Sequence, residues 1–160
     1  MTNERSVIER AREISQVALD HGWDAPTWDN FLAKLMLVMT EVQEAEDAST
    51  HDEAVMELAD VVIRTLNVLF TLNGDGPVPM EEPLPPSDDL LLRTRQVLCR
   101  SAEFYRRGMD GRALGELWDL IVGIERWCTE RGCDIWVFVD KKTEINRDRP
   151  RMHGKKRSIG

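Results

Sequence analysis

Phe31, Leu35, Val38, Val42 and Ala45 recur at spacings of three and four residues. On a helix this pattern makes one apolar stripe, whereas on a strand it would scatter over both faces. The same period runs through Val7, Ile8, Ala11, Ile14, Val17 and Ala18. Extended along the chain, it predicts helices over 4–20, from Thr27 to about Ala48, and over 52–72, 88–107, 111–131 and 134–147. Thr27 is the expected N-cap of the second helix, with Asn30 three positions on, and Thr50 with Glu53 has the spacing of a capping box. Gly22 and Pro26 break the chain after the first helix, and "NGDGP" stops the third. "WVFV" at 136–139 is the sole candidate strand, and the helical turns around it favour helix. The expected fold is therefore all-α, a bundle of about six helices forming a single domain over residues 1–160.

The composition, 42% hydrophobic and 31% charged, is that of a chain that buries a core. Cys99, Cys128 and Cys133 are odd in number and lack paired-ligand spacing, which fits buried reduced thiols rather than a disulfide framework. No apolar run reaches the ~18 residues of a membrane span. The start, "MTNERSVIERAREI", is charged and does not read as a secretory signal, so a cytoplasmic location and no membrane partner are expected. The formal net charge of -8 argues against stable nucleic-acid binding. One segment runs the other way: Arg147, Arg149, Arg151, Lys155, Lys156 and Arg157 near the end face only Asp148.

The negative excess is local. "EVQEAEDASTHDEAVMELAD", residues 41–60, carries eight carboxylates, and no Lys or Arg occurs between Leu35 and Ile63. If the second and third helices form a hairpin turning between Thr50 and His51, residues equidistant from the turn stand at equal height. Glu44 then lies beside Glu57 and Glu41 beside Asp60, and each helix contributes an i,i+3 pair on one face. Four converging carboxylates repel one another unless protonated, splayed or bridged by a cation. Hard divalent ions with oxygen ligands, Mg²⁺ or Mn²⁺, are the natural occupants. An ordinary solvated acidic face is the competing reading, supported by the i,i+4 spacing of Asp60 and Arg64. Glu46, Asp47, Asp52 and Glu53 lie nearer the turn and are expected to be solvated, and the gap in Lys and Arg suggests a centre without a fixed internal cation.

Glu41-x-x-Glu44, followed after twelve residues by Glu57-x-x-Asp60 within "ELADVVIR", resembles the metal-binding signature of the MazG-like all-α nucleoside triphosphate pyrophosphohydrolases. "KKTEINRDRPRMHGKK" is similar to the ending of many members of that superfamily, with Lys142, Asn146, Arg149-Pro150 and His153-Gly154-Lys155 at the matching places. The matches span about 28–75 and 116–156. The resemblance implies Mg²⁺-dependent hydrolysis of a (deoxy)nucleoside triphosphate to the monophosphate and pyrophosphate. It also implies Glu41, Glu44, Glu57 and Asp60 as metal-binding and catalytic residues. The corresponding substrate contacts are Lys142, Asn146 and Arg149, with Arg64, Lys34 and a stacking Trp28 as further candidates. For Trp28, simple packing is the stronger expectation.

Shifted by 59 residues, "ELADVVIRTLNVLFTLNGD" lies over "ELWDLIVGIERWCTERGCD". Glu57 meets Glu116, Asp60 meets Asp119 and Glu44 meets Glu103, but Glu41 meets Arg100. The chain thus reads as two related units, 1–73 and 89–147, with a Pro-rich linker at 74–88 and a basic tail at 148–160. The second unit is degenerate in its acids, and the surviving site would be composite, taking ligands from the first unit and phosphate contacts from the end of the second. A homodimer is compatible with this plan. The rival functions are a non-catalytic helical module binding a nucleotide or a protein, and hydrolysis of another phosphorylated nucleotide such as phosphoribosyl-ATP.

Overall fold

The computed structural model describes residues 5–74, 76–78 and 89–150. Most of the Pro-rich linker and the tail beyond Pro150, including His153-Gly154-Lys155, lie outside the described residues. The fold is all-α: α1 (Val7–Asp20), α2 (Phe31–Asp47), α3 (His51–Asn73), α4 (Leu90–Arg106), α5 (Asp110–Glu130) and α6 (Ile135–Asp148). The "WVFV" segment is helical. No helix among the described residues is long and apolar enough to cross a membrane.

Local chemistry sets the helix starts. Ser6 Oγ accepts from Glu9 N, Asp89 from Leu92 N and Asp134 from Trp136 N, each satisfying an amide that the first turn leaves open. Thr50 Oγ1 accepts from Glu53 N at 3.1 Å. The Glu53 carboxylate reaches back to Ser49 N at 3.1 Å, one residue earlier than a standard capping box. At α2 the expected cap differs. Thr27 and Asn30 bond each other reciprocally, Thr27 N to Asn30 Oδ1 at 2.7 Å and Asn30 N to Thr27 Oγ1 at 3.2 Å. Both side chains are spent on this turn, and the helix begins after it, at Phe31.

Two hairpins, α2–α3 and α4–α5, pack side by side, and α1 and α6 close over α3. The stripe of Phe31, Leu35, Val38, Val42 and Ala45 is buried. It meets Leu58, Leu66 and Leu69 of α3, Leu117, Leu120, Ile121 and Ile124 of α5, and Ile135 of α6 in one core. Contact with α1, α2, α5 and α6 covers most of the circumference of α3. Glu57, Asp60, Arg64, Asn67 and Thr71 share one stripe of α3. Ser15 Oγ bonds Asn67 Oδ1 at 2.7 Å. Arg10, only 2% exposed, bonds Asp140 through Nε at 2.9 Å and so ties α1 to α6.

The cysteines differ from expectation in one case. Cys128 is buried and Cys133 half-buried, but Cys99 is exposed. Burial pushes the Cys128 thiol up to about 12, so it packs as an inert group. The end of α5 explains its neighbour. Cys133 N bonds Cys128 O and Gly132 N bonds Thr129 O, with Gly132 at φ 77°, which brings the two cysteines together across a Schellman cap.

The α4–α5 hairpin buries acids too. Glu116 is 1% exposed, and Arg100 Nε bonds its Oε1 at 2.9 Å. Arg93 Nη2 bonds both oxygens of Asp119, at 2.9 and 3.1 Å. Arg100→Met would strand the buried Glu116 charge and is expected to cost about 3 kcal/mol at neutral pH. Adding Glu116→Leu should restore most of the loss, as read by urea unfolding of the single and double variants. Burial already holds the Glu116 carboxyl above the ordinary range. A raised carboxyl contributes stability below its unfolded pKa and loses it as pH rises through the folded one. The penalty of Arg100→Met should therefore shrink as pH falls from about 7 to 4.

Candidate metal centre

The geometry of the α2–α3 hairpin assembles the acids. Glu41 borders the apolar stripe of α2 and is drawn into the helix interface, 8% exposed. Glu44, one turn on, is exposed, and Glu57 stands opposite on α3, half-buried. One oxygen each from Glu41, Glu44 and Glu57 lies within 4.8 Å of the others. Asp60 adjoins this trio but is held by a different partner, the ammonium of Lys142 on α6, at 3.2 Å.

The electrostatics record the crowding. Glu41 is raised, first by burial and then by the neighbouring Glu44 carboxyl. Glu57 is raised by burial and by the charge of Asp60. Burial lifts Asp60 from 3.8 to about 6, although Lys142 pulls it back. Each cause disfavours the charged form, by removing water or by adding like charge. The donor set is three hard carboxylate oxygens in reach of one another, which suits Mg²⁺ or Mn²⁺ and no soft metal. The residues present therefore fit a divalent ion.

Two internal cations correct the expectation of a centre without fixed positive charge. The solvated-face reading pairs Arg64 along its own helix with Asp60. Instead its Nε bonds Glu41 Oε1 across the hairpin at 2.8 Å. Lys142 reaches the centre because α6 packs on α3. Both cations come from outside the stretch that lacks Lys and Arg, so the gap in the sequence was no guide to the folded site.

The other predicted contacts separate. Lys34 is half-buried, donates to Asp24 O at 2.9 Å, and is lowered by burial. Arg64 lowers it further, so the two cations share a neighbourhood. Asn146 lies one turn beyond Lys142 and accepts from Arg149 Nη1 at 3.2 Å, while the Arg149 carbonyl contacts His21 Nε2 at 2.8 Å. Trp28 stacks on Tyr105, centroids 6.0 Å apart, and tilts against Phe31 at 5.2 Å. Tyr105 Oη also donates to the Trp28 carbonyl. One face of Trp28 is thus engaged in packing, in line with the stronger expectation for it.

Near the turn, Glu46 is exposed but pairs with Arg95 of α4, and Asp47 accepts from Gln43. Glu53 is spent on its cap. These acids are exposed yet engaged: Glu46 joins α2 to α4, Asp47 bonds within α2, and Glu53 fastens the turn. No protein-family model matches the chain, and no curated protein or solved structure matches it significantly.

Carboxyl-carbon NMR of the metal-free protein is expected to show Asp60 titrating with a midpoint of about 6. Its share of stability should be fully present below its ordinary value of 3.8 and disappear as pH rises through about 6. A midpoint in the ordinary carboxylate range would contradict the burial assigned to this group.

Proposed function

We propose that the chain is a divalent-cation-dependent pyrophosphohydrolase, converting a nucleoside or deoxynucleoside triphosphate and water to the monophosphate and pyrophosphate. The observation that carries this reading is the convergence of Glu41, Glu44 and Glu57 oxygens within 4.8 Å, with a lysine from a distant helix at its edge. The resemblance of the acidic and C-terminal motifs to MazG-like enzymes supplies the reaction class. Glu41, Glu44 and Glu57 would hold the ion and Asp60 would border it. A divalent ion bound there neutralises triphosphate charge and lowers the pKa of a coordinated water.

The remaining work falls to the chain's own cations. Lys142 and Arg64, already at the carboxylates, supply positive charge for phosphate oxygens. Lys34 adds to the same field from the start of α2. Asn146 and Arg149 extend the α6 end of the site and offer amide and guanidinium donors to phosphate or sugar. Rigid placement on packed helices favours this kind of catalysis, which is mostly positioning and electrostatic stabilisation. The composite plan and the origin of the two hairpins by duplication are part of the same proposal. The α4–α5 hairpin, with Arg100 on Glu116, would be the copy that no longer holds metal.

The two internal ion pairs favour a second reading, a self-neutralised acidic face in a nucleotide- or protein-binding module. Pyrophosphate release separates the two. With Mg²⁺ and a panel of ribo- and deoxyribonucleoside triphosphates, at least one substrate is expected to yield equal amounts of monophosphate and pyrophosphate. Glu44→Gln and Glu57→Gln should each lower kcat/KM by roughly 100-fold or more with the helical circular dichroism unchanged. Absence of release from every member of the panel, with no heat of Mn²⁺ binding, would leave the binding-module reading in place.

A further inference from the structure

The centre contains four carboxylates and, among the described residues, two cations in direct contact with them. Arg64 bonds Glu41, and Lys142 bonds Asp60. Two negative charges are left over, the number that one divalent ion cancels. Lys142 and Asp60 are buried to a similar degree, their side chains 12% and 16% exposed. Arg64 is different: its side chain is 44% exposed while its partner Glu41 is 10% exposed. Among the described residues its hydrogen bonding is confined to Nε on Glu41. Arg64 therefore reaches a buried acid from the solvent side.

Glu41 cannot give the same lone pairs to a guanidinium and to a metal ion at full strength. Nor does a dication coexist at no cost with two monovalent charges a few ångströms away, since like charges about 5 Å apart repel strongly wherever water is partly excluded. The same Arg64 and Lys142 are the groups best placed to receive a triphosphate. We propose that Arg64 and Lys142 are exchangeable counter-ions. They hold Glu41 and Asp60 in the metal-free protein, and they are released to phosphate oxygens when the carboxylates turn to the ion. This rests on the reading of Glu41, Glu44 and Glu57 as metal ligands. Its consequence is cooperativity: the ion frees the phosphate-binding cations, so metal and triphosphate each strengthen the other's binding by the same factor.

The exchange has an unusual signature, opposite shifts in two affinities from one substitution. Calorimetry of Mn²⁺ on the nucleotide-free protein is the test, applied to wild type, Arg64→Gln, Lys142→Gln and the charge-preserving Arg64→Lys. Removal of either charge is expected to tighten Mn²⁺ binding by about tenfold, and Arg64→Lys to leave it near wild type. In the same Gln variants, α,β-methylene nucleoside triphosphates in saturating Mn²⁺ should bind about tenfold more weakly. The two Gln substitutions lie on different helices, so either one that remains folded by circular dichroism decides the matter. Wild-type Mn²⁺ binding that Arg64→Gln and Lys142→Gln leave unchanged or weaken would overturn the exchange and leave the metal site standing. Failure of wild type to bind Mn²⁺ at all would overturn both.

Discussion

Burial of charge on α3 is the constraint that organises this molecule. The helix is surrounded by α1, α2, α5 and α6 and contributes Leu58, Leu66 and Leu69 to the core. A helix covered on so many sides is ordinarily apolar all round. Here one stripe carries Glu57, Asp60, Arg64 and Asn67, and the buried polar groups on it and opposite it need partners. The neighbouring helices are placed to supply those partners. Glu41 of α2 takes Arg64, Lys142 of α6 takes Asp60, and Ser15 of α1 takes Asn67. The positions of α1, α2 and α6 around α3 are thus fixed by polar contacts as well as by the apolar core.

The second hairpin faces the same problem and balances it internally. Glu116 and Asp119 are matched by Arg100 and Arg93. Gly123 shows how closely the second pair is fitted: a Cβ there would lie 2.4 Å from Arg93 Nη1, so the guanidinium occupies space that any side chain would claim. Under the 59-residue shift, Gly123 corresponds to Arg64 and Arg93 to Lys34. The positions are shared but the charges are redistributed. One hairpin matches its two acids with its own arginines, Arg93 buried and Arg100 half-exposed, and leaves no deficit. The other leaves four acids against two cations, Arg64 and Lys142, in direct contact with them.

The helices were legible in the sequence because their causes are local. Apolar residues three and four apart, and caps at Ser6, Thr50, Asp89 and Asp134, act within one or two turns. The trio Glu41, Glu44 and Glu57 was legible for a related reason, since a short turn fixes the relative height of two antiparallel helices. What stayed hidden depends on distances between elements. Arg64 has Asp60 one turn behind it on the same helix and Glu41 across the interface, and spacing alone favours Asp60. In the structure Asp60 is taken by Lys142, and Arg64 pairs with the buried Glu41 instead. Lys142 meets Asp60 only through the packing of α6 on α3, and Trp28 meets Tyr105 only through the approach of α4 to the start of α2. The Thr27 hydroxyl accepts from the Asn30 amide as a cap would, but the bond closes a separate turn and the helix begins only at Phe31.

These contacts also bear on where stability and chemistry divide. The raised carboxyls of Glu41, Glu57 and Asp60 mark a region in which the ionised state costs folding free energy, beside a buried apolar core. Leaving two negative charges unbalanced is a poor way to stabilise a bundle, and the α4–α5 hairpin shows that this chain has arginines to balance such acids. Structure alone therefore gives no reason for the deficit at α2–α3. On the proposed reading a bound cation would: it would add its binding free energy to the folded state alone. The acids that weaken the empty protein would then strengthen the loaded one, and the deficit would favour an exchangeable ion over a fixed side chain.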